Sequence, residues 1–264
     1  MTIGFIGLGN MACAMIGGML KKNMVSPDEI CGSAKTQTTL DRCKKEFGIR
    51  TMPDNASAAA ASDILFLAVK PVFFPEVIGE IKDSLKEGTV VVSIAAGKTV
   101  SYIEELFGRR IKLIRCMPNT PAMVLEGCTA VVRGEAVSDE EMEQIKKILS
   151  SFGTVHEVPE RMMDAVVGVS GSSPAYVFLF IEAMADGAVL AGIPRKQAYE
   201  MAAQSVLGSA KMVLETGLHP GALKDMVCSP GGTTIEAVKV LEEAGLRAAV
   251  MDAMEACIEK SKNL

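Results

Sequence analysis

Two short segments combine residue types and spacings that can do chemistry. The first is Lys224-Asp225-Met226-Val227-Cys228-Ser229-Pro230-Gly231-Gly232-Thr233-Thr234-Ile235. Pro230 stops one predicted helix, Gly231 and Gly232 free the backbone, and Thr233 and Thr234 can open the next. Unpaired N–H groups at a helix start attract anions, and the hydroxyls of Ser229, Thr233 and Thr234 add donors. Such a loop suits a small carboxylate; it also suits a plain glycine-rich connector with a helix cap. The second is Gly7-Leu8-Gly9-Asn10-Met11-Ala12, which follows the apolar strand Ile3-Gly4-Phe5-Ile6 and opens an apolar helix over 11–20. This G-x-G-x-x-A run is the dinucleotide fingerprint in the context it needs. Gly7 permits the tight turn, Gly9 lets a pyrophosphate approach the backbone, and Ala12 allows close helix–strand packing.

The identity of the nucleotide is read from the end of the second strand. An NAD site usually places an acid there to hold the ribose 2′-hydroxyl. The second strand is expected at 29–32, and its end reads Ser33-Ala34-Lys35-Thr36 with no acid. Asp28 and Glu29 lie at the opposite end of that strand. Ser33 and Lys35 can bind a 2′-phosphate, so NADPH is favoured over NADH, which stays possible.

The elements that must position these segments follow from periodicity. Strands are expected at 3–6, 29–32, 64–69, 89–94 and 111–115, as continuous apolar runs buried on both faces of a parallel sheet. Helices fall between them at 36–47, 75–86 and 99–107. Two further strands, 128–133 and 154–158, flank a charged helix at 138–151. Beyond about residue 160 only helices are expected: 160–168, 173–191, 195–216, 220–227, 232–244 and 246–261. The fold class is therefore α/β, a Rossmann-type doubly wound parallel sheet followed by a second, all-helical domain. The boundaries are 1–158 for the nucleotide-binding domain and 159–264 for the helical one.

Ligands bind where strands of such a sheet end. Four segments fall there: Ala68-Val69-Lys70-Pro71, Ser93-Ile94-Ala95-Ala96-Gly97, Met117-Pro118-Asn119-Thr120-Pro121, and Asn55 ahead of the strand at 64–69. Lys70 is either a ligand or an exposed helix-start lysine. Asn119 either orients a ligand or fastens its own turn.

Composition bounds the remaining possibilities. The 264 residues carry a net charge of −5 and a pI near 5.3, which argues against a nucleic-acid partner. Seven cysteines without C-x-x-C pairs suggest free thiols in a reducing compartment. Two histidines and no clustered ligands give no expected metal site. The first strand leaves no room for a signal peptide before it, so a cytoplasmic location is expected. The apolar run from Ala175 to Ala191 carries Glu182 and Asp186, and reads as a buried or interfacial helix, not a membrane span.

Together the motifs resemble pyrroline-5-carboxylate reductases. The matching segments are Gly7–Ala12, Ala68–Pro71, Ser93–Gly97, Met117–Pro121, Ser170-Gly171-Ser172-Ser173-Pro174-Ala175-Tyr176, Ala185-Asp186-Gly187-Ala188 and Leu223 through Thr234. They are collinear over nearly the whole chain, and the last is the most specific. Ser173 stands where many members have Gly, and Lys35 where many have Arg. The resemblance implies a homodimer through the C-terminal helices, with a decamer of dimers as a further option. It implies reduction of 1-pyrroline-5-carboxylate to L-proline by NAD(P)H, the last step of proline biosynthesis. Ser229, Gly231, Gly232, Thr233 and Thr234 would then grip the substrate carboxylate. Thr234 would act catalytically at the ring nitrogen, and Glu160 would lie near it by family position. Two rival readings are a different imine or β-hydroxyacid oxidoreductase of the same fold and a non-catalytic nucleotide sensor. The former usually wants a Lys or His early in the second domain, and residues 168–182 contain neither.

Overall fold

Short runs of β-branched and aromatic residues with no polar face form strands sealed between helices. In the computed structural model, which describes residues 1–263, strands β1 (Ile3–Ile6), β2 (Ile30–Ser33), β4 (Ile64–Leu67) and β5 (Val90–Ser93) are buried at every position. Strands β3 (Arg50–Thr51), β6 (Lys112–Met117), β7 (Gly127–Arg133) and β8 (Gly153–Glu157) complete one sheet, ordered β3-β2-β1-β4-β5-β6-β7-β8. Pairing is parallel from β3 through β6, and β8 is parallel to β7. The parallel pattern breaks at one joint, where β7, the first of the two additional strands, runs antiparallel to β6. The link between them is the 3₁₀ turn Thr120–Val124, too short for the crossover a parallel neighbour requires.

Helices α1 (Asn10–Lys21), α2 (Gln37–Phe47), α3 (Asn55–Ala61), α4 (Phe74–Ile81), α5 (Val100–Phe107) and α6 (Asp139–Leu149) belong to the same unit. Their starts are written in the sequence. Thr36, Asp54, Thr99 and Ser138 each accept a backbone N–H three residues on. On one face, Phe5 stacks on Phe66 with ring centroids 4.8 Å apart, amid Met15, Ile16, Met19 and Phe152. On the other, Ile6, Leu65, Leu67, Phe74 and Ile78 cluster. Two elements went unforeseen. β3 is two residues long, and α3 (Asn-Ala-Ser-Ala-Ala-Ala-Ala) has no contrast between faces for a period to show.

After β8 the chain turns helical. A 3₁₀ turn at Glu160–Met162, a short α7 (Met163–Val166) and a π-helical turn at Val167–Gly171 replace the regular helix expected at 160–168. Helices α8 (Ser173–Leu190), α9 (Arg195–Thr216), α10 (Pro220–Val227), α11 (Thr233–Glu243) and α12 (Leu246–Lys262) follow. The chain divides into two compact units: Met1–Ser172 with the residues from Cys257 onward, and Ser173–Ala256. Asn119 and Arg115 of the sheet unit hold the segment from Glu160 to Ser170, which therefore packs with the first unit. The end of α12 returns to this unit, where buried Ser261 donates to Asp164 over 2.7 Å.

The second unit has almost no interior of its own. Among its described residues Ala185, Ala198, Ala202 and Leu223 are buried. Phe178 is 62% exposed, Leu179 68%, Leu190 91% and Leu214 82%. The run Glu160–Leu190 is long and apolar enough to cross a membrane by length and composition. α8 is therefore not a core helix of this unit: its apolar side chains face outward, as an interface requires.

Candidate functional site

The sheet order reverses direction of build between β1 and β4, the switch point where ligands of such sheets bind. The loop leaving β1 is stitched there by two backbone bonds, from the Gly7 N–H to the Ser33 carbonyl (3.0 Å) and from the Ala68 N–H to the Ile6 carbonyl (2.8 Å). Gly7 has φ +92°, and a methyl group built on it would sit 2.6 Å from the Ala68 carbonyl oxygen, so only glycine fits. Gly9 differs: its backbone is extended, nothing lies within 4 Å of its missing side chain, and it caps α1 without a side chain of its own. This is open space in front of a helix N-terminus, the form a pyrophosphate needs.

A cavity of about 690 Å³ continues from this loop. It brings together Gly7, Leu8, Gly9, Ala34, Lys35, Asn55, Val69 and Lys70, all expected from the sequence. Asn10, Met11 and Ala12 form the first turns of α1 beside it, with Ala12 buried as close packing requires. Ala68 and Pro71 flank Val69 and Lys70 at the end of β4. Ala95, Ala96 and Gly97 follow β5 at the same edge of the sheet, but not in the lining of this cavity.

Three expected ligands are held differently from the simplest reading. Ser33 is buried, and its hydroxyl donates to Asn55 Oδ1 over 2.6 Å; Asn55 Nδ2 in turn donates to Glu80 Oε2 over 2.6 Å. The one proton of Ser33 is thus directed inward, away from a phosphate on the rim. Asn119 is buried too. Its Oδ1 accepts the Cys128 N–H (2.9 Å) and its Nδ2 donates to the Ser170 carbonyl (3.0 Å), which fastens its own turn to the π-helical one.

Sequence reasoning missed Arg42. It lines the same cavity as Lys35 and Thr39, and its guanidinium donates to the Leu8 carbonyl over 3.0 Å. Thr39 and Arg42 stand three apart on α2 and so share a face; that spacing was the available signal. Lys35 Nζ lies 5.9 Å from the centroid of the Phe73 ring, which steadies the cation at the rim.

The carboxylate-ready loop keeps its form within the second unit. Ser229-Pro230-Gly231-Gly232 is a tight turn closed by the Gly232 N–H on the Ser229 carbonyl at 3.0 Å, with Gly231 at φ +67°. Proline second and glycine third is what such a turn demands. Gly232 then caps α11 with no side chain on the first N–H groups. Ser229 and Thr233 are exposed and Thr234 is half-buried, beside that bare helix start. Lys224 and Asp225 pair with each other at 2.6 Å, which raises the lysine above its usual range.

Glu160 lies in the sheet unit. Its Oε1 accepts the Val100 N–H at the start of α5 (2.8 Å) and Arg115 Nη1 (3.1 Å), and the Arg115 side chain is only 7% exposed. Truncating Glu160 strands a buried guanidinium and a helix N–H. Glu160→Ala should cost about 2 kcal/mol of stability, read by urea denaturation. Unchanged stability with a raised KM would instead put this carboxylate on the substrate.

A switch-point cavity, a glycine loop before a helix and a basic rim define a nicotinamide-dinucleotide oxidoreductase of the Rossmann type. Residues 2–97 match the family model described as NADP oxidoreductase, coenzyme F420-dependent. Residues 160–264 match the model for pyrroline-5-carboxylate reductase dimerisation. The chain belongs to the pyrroline-5-carboxylate reductase family. It is 53% identical to the pyrroline-5-carboxylate reductase of Escherichia coli K12 over 262 residues, 99% of this chain and 97% of that protein. The solved pyrroline-5-carboxylate reductase of Coxiella burnetii superimposes with TM-score 0.92 at 37% identity, covering 99% of this chain and 97% of that one. The Plasmodium falciparum pyrroline carboxylate reductase, solved with NADP bound, superimposes with TM-score 0.90 at 32% identity over the same shares.

Proposed function

We infer that this protein reduces the cyclic imine 1-pyrroline-5-carboxylate to L-proline with NADPH, the closing step of proline biosynthesis. The observation that carries the reading is the presence in one chain of an open dinucleotide cradle at Gly9 and a bare, hydroxyl-rimmed helix start at Ser229–Thr234. Full-length likeness to reductases of this substrate supports it.

The residues present fit the dinucleotide. Gly7, Leu8 and Gly9 with the first turn of α1 (Asn10, Met11, Ala12) would hold the pyrophosphate. Lys35 and Arg42 would face the 2′-phosphate at the rim, with Ala34 beside them. Val69, Lys70 and Asn55 line the cavity further along. When bound, NADPH supplies the hydride. The protein's part is to hold the imine, exclude water and settle a proton on nitrogen. The Ser229–Thr234 turn would take the substrate carboxylate on the N–H groups of Gly231, Thr233 and Thr234 and on the hydroxyls of Ser229 and Thr233, while the Gly232 N–H closes the turn. A protonated imine carbon accepts hydride readily, and the C=N π pair then collapses onto nitrogen. The Thr234 hydroxyl would sit at that nitrogen, steering its proton. No strong acid, metal or protein nucleophile is needed for this chemistry.

Removing the rim cation tests the cofactor assignment. Lys35→Ala should weaken NADPH about tenfold and NADH little, measured by fluorescence titration. Equal weakening of both would take Lys35 off the 2′-phosphate.

The exposed apolar faces of α8, α9 and α12 support a homodimer through the C-terminal helices, and a decamer of five such dimers is the larger assembly this reading allows. In sedimentation the protein should run at or above twice its 27.9 kDa chain mass. A stable monomer at micromolar concentration would overturn this assignment. Full-length likeness to a bacterial reductase suits a cytoplasmic location.

A further inference from the structure

One cluster beside the dinucleotide loop is not used by the reaction. Cys13 on α1 and Cys43 on α2 bring their sulfurs to 3.8 Å. Cys13 Sγ also donates to the Leu8 carbonyl at 3.6 Å, the oxygen that Arg42 holds at 3.0 Å. Arg42 Nη2 lies 3.6 Å from Cys13 Sγ and 3.9 Å from Cys43 Sγ. Two thiols, one guanidinium and one carbonyl of the cofactor loop therefore converge on one point. Among the described residues no other two cysteines are hydrogen-bonded to each other.

The cluster can be reached. Cys43 is fully buried, but Cys13 lines a separate cavity of about 360 Å³ with Asn10, Gly17, Lys21, Arg42 and Met123. Arg42 lines this cavity and the dinucleotide cavity alike. A small oxidant entering here meets Cys13 first, with Cys43 behind it as the resolving thiol.

We propose that Cys13 and Cys43 form a reversible disulfide under peroxide and that this bond weakens NADPH binding. The chemistry balances with one peroxide. The Cys13 sulfur takes one oxygen as the O–O bond breaks, giving a sulfenic acid and water. The Cys43 sulfur then attacks it, the S–S bond forms, and a second water leaves. Two thiols lose two electrons and the peroxide gains them. The sulfurs stand 3.8 Å apart and a disulfide needs about 2.05 Å, so the helices or side chains must close about 1.75 Å. Closure removes the Cys13 proton that the Leu8 carbonyl accepts. Arg42 then remains the lone side-chain donor to that carbonyl, so the cofactor loop keeps one of its two side-chain anchors. The oxidised form thus binds the dinucleotide less well, and a dithiol reductant restores it.

The thiols are not primed for speed. Burial, then the neighbouring Cys43, push the Cys13 thiol up to about 11, against the pull of Arg42; Glu46 adds to the rise, and Lys21 faces the same cavity. The thiolate is the reacting form, so crosslinking should be slow at neutral pH and quicken as pH rises toward that value.

The test uses the full-length protein with hydrogen peroxide, then tryptic mass spectrometry without reduction and NADPH titration of the same samples. The expected result is a Cys13–Cys43 linked peptide and an NADPH Kd raised about tenfold, both reversed by dithiothreitol. Cys43→Ala should lose both effects relative to its own untreated sample. Free thiols at both positions after treatment, or a linked peptide with an unchanged Kd, would overturn the proposal. The effect on Kd rests on the NADPH reading above, and the two fail separately. If the reduced protein does not bind NADPH, the cofactor reading falls while the linked peptide still reports on the thiol pair.

Discussion

Replacing Thr234 with alanine should lower kcat/KM for the imine by about 10- to 1000-fold, with most of the loss in kcat. The side chain stands second in α11, half-buried, at a helix start that no side chain caps. Its hydroxyl therefore has no structural duty at that cap, and truncation leaves the fold alone. On the proposed reading, what would be lost is one donor at the atom whose charge changes during hydride transfer, and a single such donor carries about 10²–10³ in rate. Thr234→Ser keeps the hydroxyl and should recover most of the activity. Full turnover by the alanine variant would remove Thr234 from the mechanism, and the carboxylate grip would then rest on the Ser229–Gly232 turn alone.

A valine at Gly9 should raise the NADPH Kd by on the order of 100-fold while the melting temperature stays put. Gly9 has φ −79° and nothing within 4 Å of a would-be Cβ, so the free protein tolerates the side chain. The new branches fill the space a pyrophosphate must enter. Gly7 makes the opposite prediction from the same loop. A methyl there meets the Ala68 carbonyl at 2.6 Å on a φ of +92°, so Gly7→Ala damages folding before it damages binding. The contrast separates a glycine kept for the fold from one kept open for a ligand. If Gly9→Val bound NADPH normally, the cradle assignment would be wrong.

Much of this arrangement was legible in the residues. The Gly7–Ala12 run after a four-residue apolar strand fixed the first βα unit. Unbroken runs such as Ile64–Leu67 and Val90–Ser93 gave away strands buried on both faces, and Thr36, Thr99 and Ser138 marked helix starts. Pro230-Gly231-Gly232 announced the turn that the structure closes. The illegible parts have local reasons. Two-residue β3 and the alanine-rich α3 carry no period. The antiparallel placement of β7 depends on a short 3₁₀ link whose sequence does not state a direction. Ser33 and Asn119 have side chains that suit a ligand or a neighbour equally well, and only packing shows Asn55, Cys128 and Ser170 beside them. Arg42 lies within a charged helix where any residue reads as solvated. The apolar α8 could have been a core helix, and its outward face becomes visible only once the unit that holds it is seen to bury four residues.

The most direct measurement is the loss of NADPH absorbance when purified protein meets 1-pyrroline-5-carboxylate, with NADH in a parallel cuvette. Rapid substrate-dependent oxidation that yields proline, faster with NADPH, is the predicted result. Protein that binds NADPH yet oxidises neither cofactor with this imine would contradict the reductase assignment, and would leave a different imine or carbonyl as substrate, or a sensor of the nucleotide itself.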